Sequence, residues 1–179
     1  MPSPIAHIAA GVAIGLVAKR SVRASANTLH PQRLILGLAV VGSLLPDLDS
    51  IVGVIMGDFG KYHNNLSHSL LFGLIISLLV GVALKAFSEL KLHHLFLPVF
   101  AGYAVHVLMD SATITRGVML FWPLTDERYA SPYTIFYGVR WSEDWLSPLH
   151  LITLVTELVF AAVVVFWAKW FSEQRNTKS

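Results

Sequence analysis

Charge is nearly absent from five long stretches of this sequence, and apart from Lys85 and Lys169 close to the ends of two of them the ionisable groups inside are carboxylates and imidazoles. The stretches run from about Pro4 to Ala18, Leu34 to Met56, Ser69 to Phe87, His93 to Met109 and Leu149 to Phe171. Roughly 20 apolar residues cross the hydrocarbon core of a bilayer, a length the third and fifth stretches meet. The first reaches it if its helix continues to about Arg23 with the basic end snorkelling. The fourth is shorter, and the second is interrupted by Pro46-Asp47-Leu48-Asp49. Only 13% of the 179 residues are charged, against about 25% in soluble domains, and the mean hydropathy is +0.63. The pattern predicts an all-α integral membrane protein, a single domain over 1–179 forming a bundle of about five transmembrane helices. With no cysteine, disulfides, thiolate metal sites and a Cys nucleophile are excluded. No basic region precedes the first apolar run, so that run reads as a retained helix rather than a cleaved signal.

Basic residues set the expected orientation. With the N-terminus outside, Lys19, Arg20, Arg23, Arg33, Lys85, Lys91, Lys169, Arg175 and Lys178 fall inside, nine of the thirteen Lys and Arg. Lys61, Arg116, Arg128 and Arg140 fall in the outer connections, among Asp58, Asp126, Glu127, Glu143 and Asp144. Basic residues clustered between apolar segments point to membrane topology and not to nucleic-acid binding.

On this topology the buried ionisable groups gather on the outer side. His106 and Asp110, four residues apart, share one face of a helix and make a suitable pair of metal ligands. Asp47 and Asp49 are about 200° apart on a regular helix, so both reach one site only if the chain bends, which Pro46 assists. His63 and His68 flank a turn in which Ser67 is a candidate helix cap. His7 stands near the outer end of the first span, and Gly11 one turn on allows another helix close. Ionisable groups in apolar segments read as functional by default. His30, His93, His94 and His150 read as interfacial. Glu157 either lines the cavity or pairs with a basic partner. The aromatics Tyr129, Tyr133, Phe136, Tyr137, Trp141 and Trp145 read as a belt at the headgroup level, extended to a lid beside the site.

These residues fall in four motifs: His7-Ile-Ala-Ala-Gly11, Leu45-Pro46-Asp47-Leu48-Asp49, His63-Asn-Asn-Leu-Ser67-His68-Ser69 and Gly102-Tyr103-Ala-Val-His106-Val-Leu-Met-Asp110. Thr113, Gly117 and Trp122-Pro123 follow. In this order, over about residues 4 to 130, the chain resembles the membrane-bound metal-dependent hydrolase family whose founding member is under LexA control. The resemblance implies a small multi-span inner-membrane protein with a metal-dependent hydrolase site. One departure stands out: the family commonly reads His-Arg-Gly-x-Thr-His-Ser, where this chain has Asn64 and Asn65. Asparagine cannot supply the bidentate charge of Arg, so another cation, such as Arg116 or Arg140, is expected to take that role.

The expected ligands are His7, Asp47, Asp49, His63, His68, His106 and Asp110, with Asp47, Asp49, His68 and Asp110 carrying catalysis. Asn64, Asn65, Ser67 and Thr113 would orient substrate oxygens. His and Asp without thiolate favour zinc or manganese, one or two ions. Two cations about 4 Å apart would activate a bridging water for phosphoester hydrolysis. The expected reaction is hydrolysis of a phospholipid or related lipid phosphoester at the membrane surface, with membrane lipid as environment and substrate. Two alternatives remain: a metal or proton transporter, and a non-catalytic membrane protein with a structural metal.

Overall fold

The computed structural model describes residues 1–22, 31–139 and 147–174. Arg23, His30, Arg140, Trp141, Glu143, Asp144, Trp145, Arg175 and Lys178 lie outside the described residues. The described chain is helical: α1 (Pro4–Ala18), α2 (Pro31–Gly42), α3 (Leu48–Ile55), α4 (Phe59–Tyr62), α5 (Leu70–Lys85), α6 (Leu92–Ser111) and α7 (Pro148–Gln174). Short 3-10 turns cover Lys19–Ser21 and Leu66–His68. Outside the helices, two isolated bridges, Thr113 with Phe136 and Val118 with Tyr129, are the only β pairing among the described residues.

By length and hydropathy, α6 and α7 can cross a membrane. α1, α2 and α5 have 15, 12 and 16 residues, short of the roughly 20 that a perpendicular span needs. The stretch from Leu34 to Met56, expected as one interrupted span, is two helices. Pro46 lacks an N–H and disfavours helical geometry at Leu45, so α2 ends at Gly42 and α3 restarts at Leu48. The first helix does not run on to Arg23; it ends at Ala18 and tightens into the 3-10 turn.

α6 is the centre of the bundle, packed on α2, α5 and α1, while α1 also packs on α2 and α7. Its buried stripe of Leu95, Val99, Gly102, His106, Met109 and Asp110 keeps the spacing of one helical face. The first half of that stripe is apolar and packs with Leu38; the second half turns polar and enters the site. Two glycines permit this close packing. A Cβ on Gly102 would collide with the Ala39 carbonyl oxygen, and one on Gly11 with the Ser43 hydroxyl. Contact of this kind between small residues lets helix backbones approach closely in lipid.

Elsewhere large apolar side chains face outward, among them Leu151, Val155, Val159, Phe166 and Trp167 on α7 and Leu74, Ile75 and Leu79 on α5. Apolar exposure on this scale marks a surface that meets lipid or protein, not water. Phe136, expected in an aromatic belt or lid, is instead 2% exposed and packs with Ala6, Ala10, Met109 and Phe160. Tyr133, by contrast, is 78% exposed.

Candidate metal centre

Four separate pieces of chain bring their polar side chains to one buried point. α1 is capped by Ser3, whose hydroxyl accepts from the Ile5 amide, with Pro4 in the first turn, a favoured start for a helix. His7 follows one turn later. The unwound segment between α2 and α3 supplies Asp47, and the first turn of α3 supplies Asp49. The turn 63–68 supplies His63 and His68, and the last turns of α6 supply His106 and Asp110. His7, His68, His106 and Asp110 have no solvent exposure.

Asp110 lies in the middle. One of its oxygens is 3.3 Å from His7 Nε2 and the other is 3.2 Å from His68 Nε2. His106 Nε2 is 3.2 Å from His68 Nε2 and 3.5 Å from Asp47 Oδ1. The rings of His7 and His106 stack with centroids 3.8 Å apart. Two donor groups result, Asp47-His63-His68-Asp110 and His7-His106-Asp110, with ligand atoms in each within 4.8 Å of one another.

The chemistry of these atoms suits a cation. His7 Nε2, Asp47 Oδ1 and both Asp110 oxygens are buried and make no well-directed hydrogen bond, the approaches of His7 and His68 to Asp110 at 3.3 and 3.2 Å being close contacts only. Buried polar atoms are ordinarily paired, and two carboxylates among uncompensated lone pairs are costly. The other edge of two imidazoles is fixed. His106 Nδ1 lies 2.7 Å from the Ser43 carbonyl oxygen, which can only accept, so that nitrogen carries the proton and Nε2 faces the site. His68 Nδ1 lies 3.2 Å from Asp49 Oδ2, which orients its Nε2 inward in the same way. Holding one ring nitrogen by a carbonyl or carboxylate is how proteins orient histidine ligands.

Asp49, expected as a ligand, stands one step behind the donors. It bonds His63 Nδ1 at 2.7 Å and the Asn64 amide at 3.2 Å, and it accepts the Ser67 hydroxyl. Its oxygens are consumed by the residues they orient. Ser67 does not cap a helix; Ser69 caps α5, accepting from the Phe72 amide at 3.1 Å. Thr113, expected to orient substrate, is 4% exposed and donates to the Met109 carbonyl at 3.0 Å. Asn64 is buried at φ 61°, a left-handed conformation that asparagine tolerates well among non-glycine residues. Glu157 is buried and accepts the Ser3 amide at 2.8 Å as well as the Ser3 hydroxyl. It therefore anchors the start of α1, and with it His7, to α7.

Two guanidinium groups brace the His63 turn. Arg116 donates to the His63 carbonyl at 2.8 Å, and Arg128 donates to the Asn64 carbonyl at 2.9 Å, to the Gly117 carbonyl at 3.1 Å and to the Asn65 side chain. Partial burial, followed by the neighbouring Arg116 charge, holds Arg128 below the usual guanidinium range. Arg128, Ser43, Ser50 (3.0 Å from His63 Nδ1) and Ser3 are site residues with no signal in the sequence. Ser43 acts through its carbonyl, Arg128 and the Ser3–Glu157 contact span long stretches of chain, and Ser50 is a short polar residue next to Asp49.

Residues 1–175 match the model of the YdjM inner membrane protein family. The chain belongs to this family. It is 30% identical over 166 residues to "Inner membrane protein YbcI" of Escherichia coli (strain K12), an alignment that covers 89% of this chain and 90% of the relative. No solved structure matches. The YdjM match contains every donor of both groups and runs through α7, so it includes Glu157 as well. An inner-membrane family agrees with the outward apolar surfaces of α5 and α7 described above.

Proposed function

We propose that the protein is a multi-pass inner-membrane hydrolase that uses a divalent metal, zinc or manganese, to cleave a phosphoester of a lipid. One observation carries this reading: the two buried donor groups share Asp110, whose two oxygens face different histidines. A carboxylate so placed suits two neighbouring cations. Bound cations would supply Lewis-acid activation of water and neutralise charge on the phosphoester.

The protein's own residues do the rest. His7 and His106 would hold one ion with Asp110, and Asp47, His63 and His68 the other. Asp49 and the Ser43 carbonyl keep the imidazoles aimed, and the buried setting of α6 excludes bulk water. Arg116 and Arg128 place positive charge on the turn where the resemblance leads one to expect an Arg, which suits an anionic substrate. The reading takes α1, α2, α5, α6 and α7 as the membrane-crossing elements, with the site toward the outer face.

The test uses the full chain in detergent, stripped by a chelator and reloaded with zinc or manganese, on a panel of lipid phosphoesters. Metal-dependent release of product, abolished in Asp110→Asn, is expected. Metal uptake into proteoliposomes without turnover of any lipid would overturn the hydrolase in favour of transport.

A further inference from the structure

α3 is eight residues long and only its Gly53 is buried. Ile51, Val54 and Ile55 are 56%, 70% and 76% exposed. On one flank α3 forms a cavity of about 480 Å³ with the start of the chain and of α1, lined by Met1, Pro4, Asp47, Ser50, Ile51, Val54 and Ile55. On the other flank lies a cavity of about 320 Å³, lined by Asp49, Leu48, Val52, Ser67, Phe72 and Tyr103 among others. Both are apolar with a carboxylate at one end, and their ends differ. Asp49 is saturated by His63, Asn64 and Ser67. Asp47 Oδ1 has no hydrogen-bond partner and lies 3.5 Å from His106 Nε2 and 3.9 Å from His68 Nε2. Only the cavity between α1 and α3 leads from an apolar flank to open metal-ligating atoms.

We propose that this cavity seats an acyl chain of a membrane lipid whose phosphate-ester head lies at the Asp47 end. The assignment of the head rests on the metal-dependent reading above; the seat for the chain rests on the cavity itself. From Asp47 to Ile55 the groove runs about 12 Å at the rise of a helix, apolar along its length and polar at one end only. That is the profile of an amphiphile. A soluble phosphoester would leave Ile51, Val54 and Ile55 unmatched. A chain arriving sideways from the bilayer passes from one apolar medium to another, so no hydrophobic cost opposes entry. Selection then falls on the head, where cations that Asp47, His68 and His106 would hold would favour an anion.

The experiment uses the zinc-loaded full chain in nanodiscs of phosphatidylcholine, with phosphatidic acid carrying a photoactivatable group on its acyl chain as the probe. Adducts are mapped by mass spectrometry. Labelling of Ile51, Val54 and Ile55 is expected to exceed that of Val159 and Val163 on α7 by about tenfold, a modest binding preference. Excess unlabelled phosphatidic acid should remove it, and diacylglycerol with the same chains should not. Ile51→Trp, which fills the cavity away from the metal donors, should abolish adducts at Val54 and Ile55 with bound zinc unchanged. If that variant loses zinc, Val54→Trp is read in its place. Adducts spread evenly over α3 and α7, or removed equally by diacylglycerol, would overturn the seat. Localised, competed adducts without turnover would uphold the seat and overturn the hydrolase; turnover with scattered adducts would do the reverse.

Discussion

The Nε2 atoms of His68 and His106 face each other at 3.2 Å, although the Nδ1 atom of each ring is already committed to an acceptor, Asp49 for His68 and the Ser43 carbonyl for His106. Two neutral imidazoles so held would point lone pairs at each other beside the Asp47 and Asp110 carboxylates. A cation on each nitrogen, as the two donor groups allow, would resolve that arrangement. The orienting groups then matter almost as much as the ligands.

Asp49 tests this separation of roles. Asp49→Asn keeps the shape but weakens the acceptor behind His63 and His68, so zinc affinity should fall by about 10- to 100-fold, the usual cost of losing an orienting partner. Asp110→Ala removes a donor from both groups and should abolish high-affinity binding. Competition against a zinc chelator in detergent measures both. Equal losses would put Asp49 among the ligands.

The contact between Glu157 and Ser3, 154 residues apart, ties α1 to α7 one turn before the donor His7. Glu157→Ala leaves the part-buried Ser3 amide and hydroxyl without their acceptor and should cost about 1–3 kcal/mol, read as a lower Tm in detergent. Ser3→Ala removes one of the bonds together with the cap of α1 and should cost about 1 kcal/mol. The double variant should lose less than the sum, because the two residues share one interaction.

Close packing of α2 on α6 sets where His106 stands. Gly102→Val would drive a side chain into the Ala39 carbonyl and the Ser43 amide, separating His106 from the Ser43 carbonyl. Loss of bound metal and a lower Tm, from a destabilisation of about 1–3 kcal/mol or more as in core overpacking, are expected. Gly37→Ala is the control: nothing lies within 4 Å of its added Cβ. It should be neutral or stabilise by about 0.5–1 kcal/mol through helix propensity.

Arg128 bonds, from a distant loop, to the His63 turn, in which the resembled family commonly carries an Arg. Arg128→Ala should loosen that turn and lower zinc affinity by about tenfold, as for one unsatisfied buried acceptor. Arg128→Lys should rescue little, since an ammonium cannot reach the Asn64, Gly117 and Asn65 oxygens together as the planar fork does. Full rescue by Lys would reduce the role to charge alone.

The sequence makes some of this legible and hides the rest for physical reasons. His7, Asp47, His106 and Asp110 stand out because an apolar segment offers ionisable groups few alternatives to a shared polar site, and with His63 and His68 of the following turn they do converge in space. α6 and α7 begin and end within two or three residues of the apolar limits. The roles of Asp49 and Thr113 are hidden because side-chain direction depends on the break after Gly42 and on the turn after Ser111. No periodicity anticipates the partner of Glu157, 154 residues away, or Arg128 on Asn64, 64 residues away. Phe136 looks like any aromatic in an outer connection until the core cluster with Ala6 and Met109 is formed. Five membrane crossings likewise cannot be read from helix length when a proline divides one apolar stretch in two.

The most direct test of the metal centre is the metal content of the protein purified in detergent, wild type against His106→Ala, by mass spectrometry of the acid-released ions. Zinc or manganese bound to the wild type at one to two ions per chain, and reduced in His106→Ala while the helical content is kept, is the expected result. Equal and negligible metal in both proteins, after reloading with either ion, would contradict it.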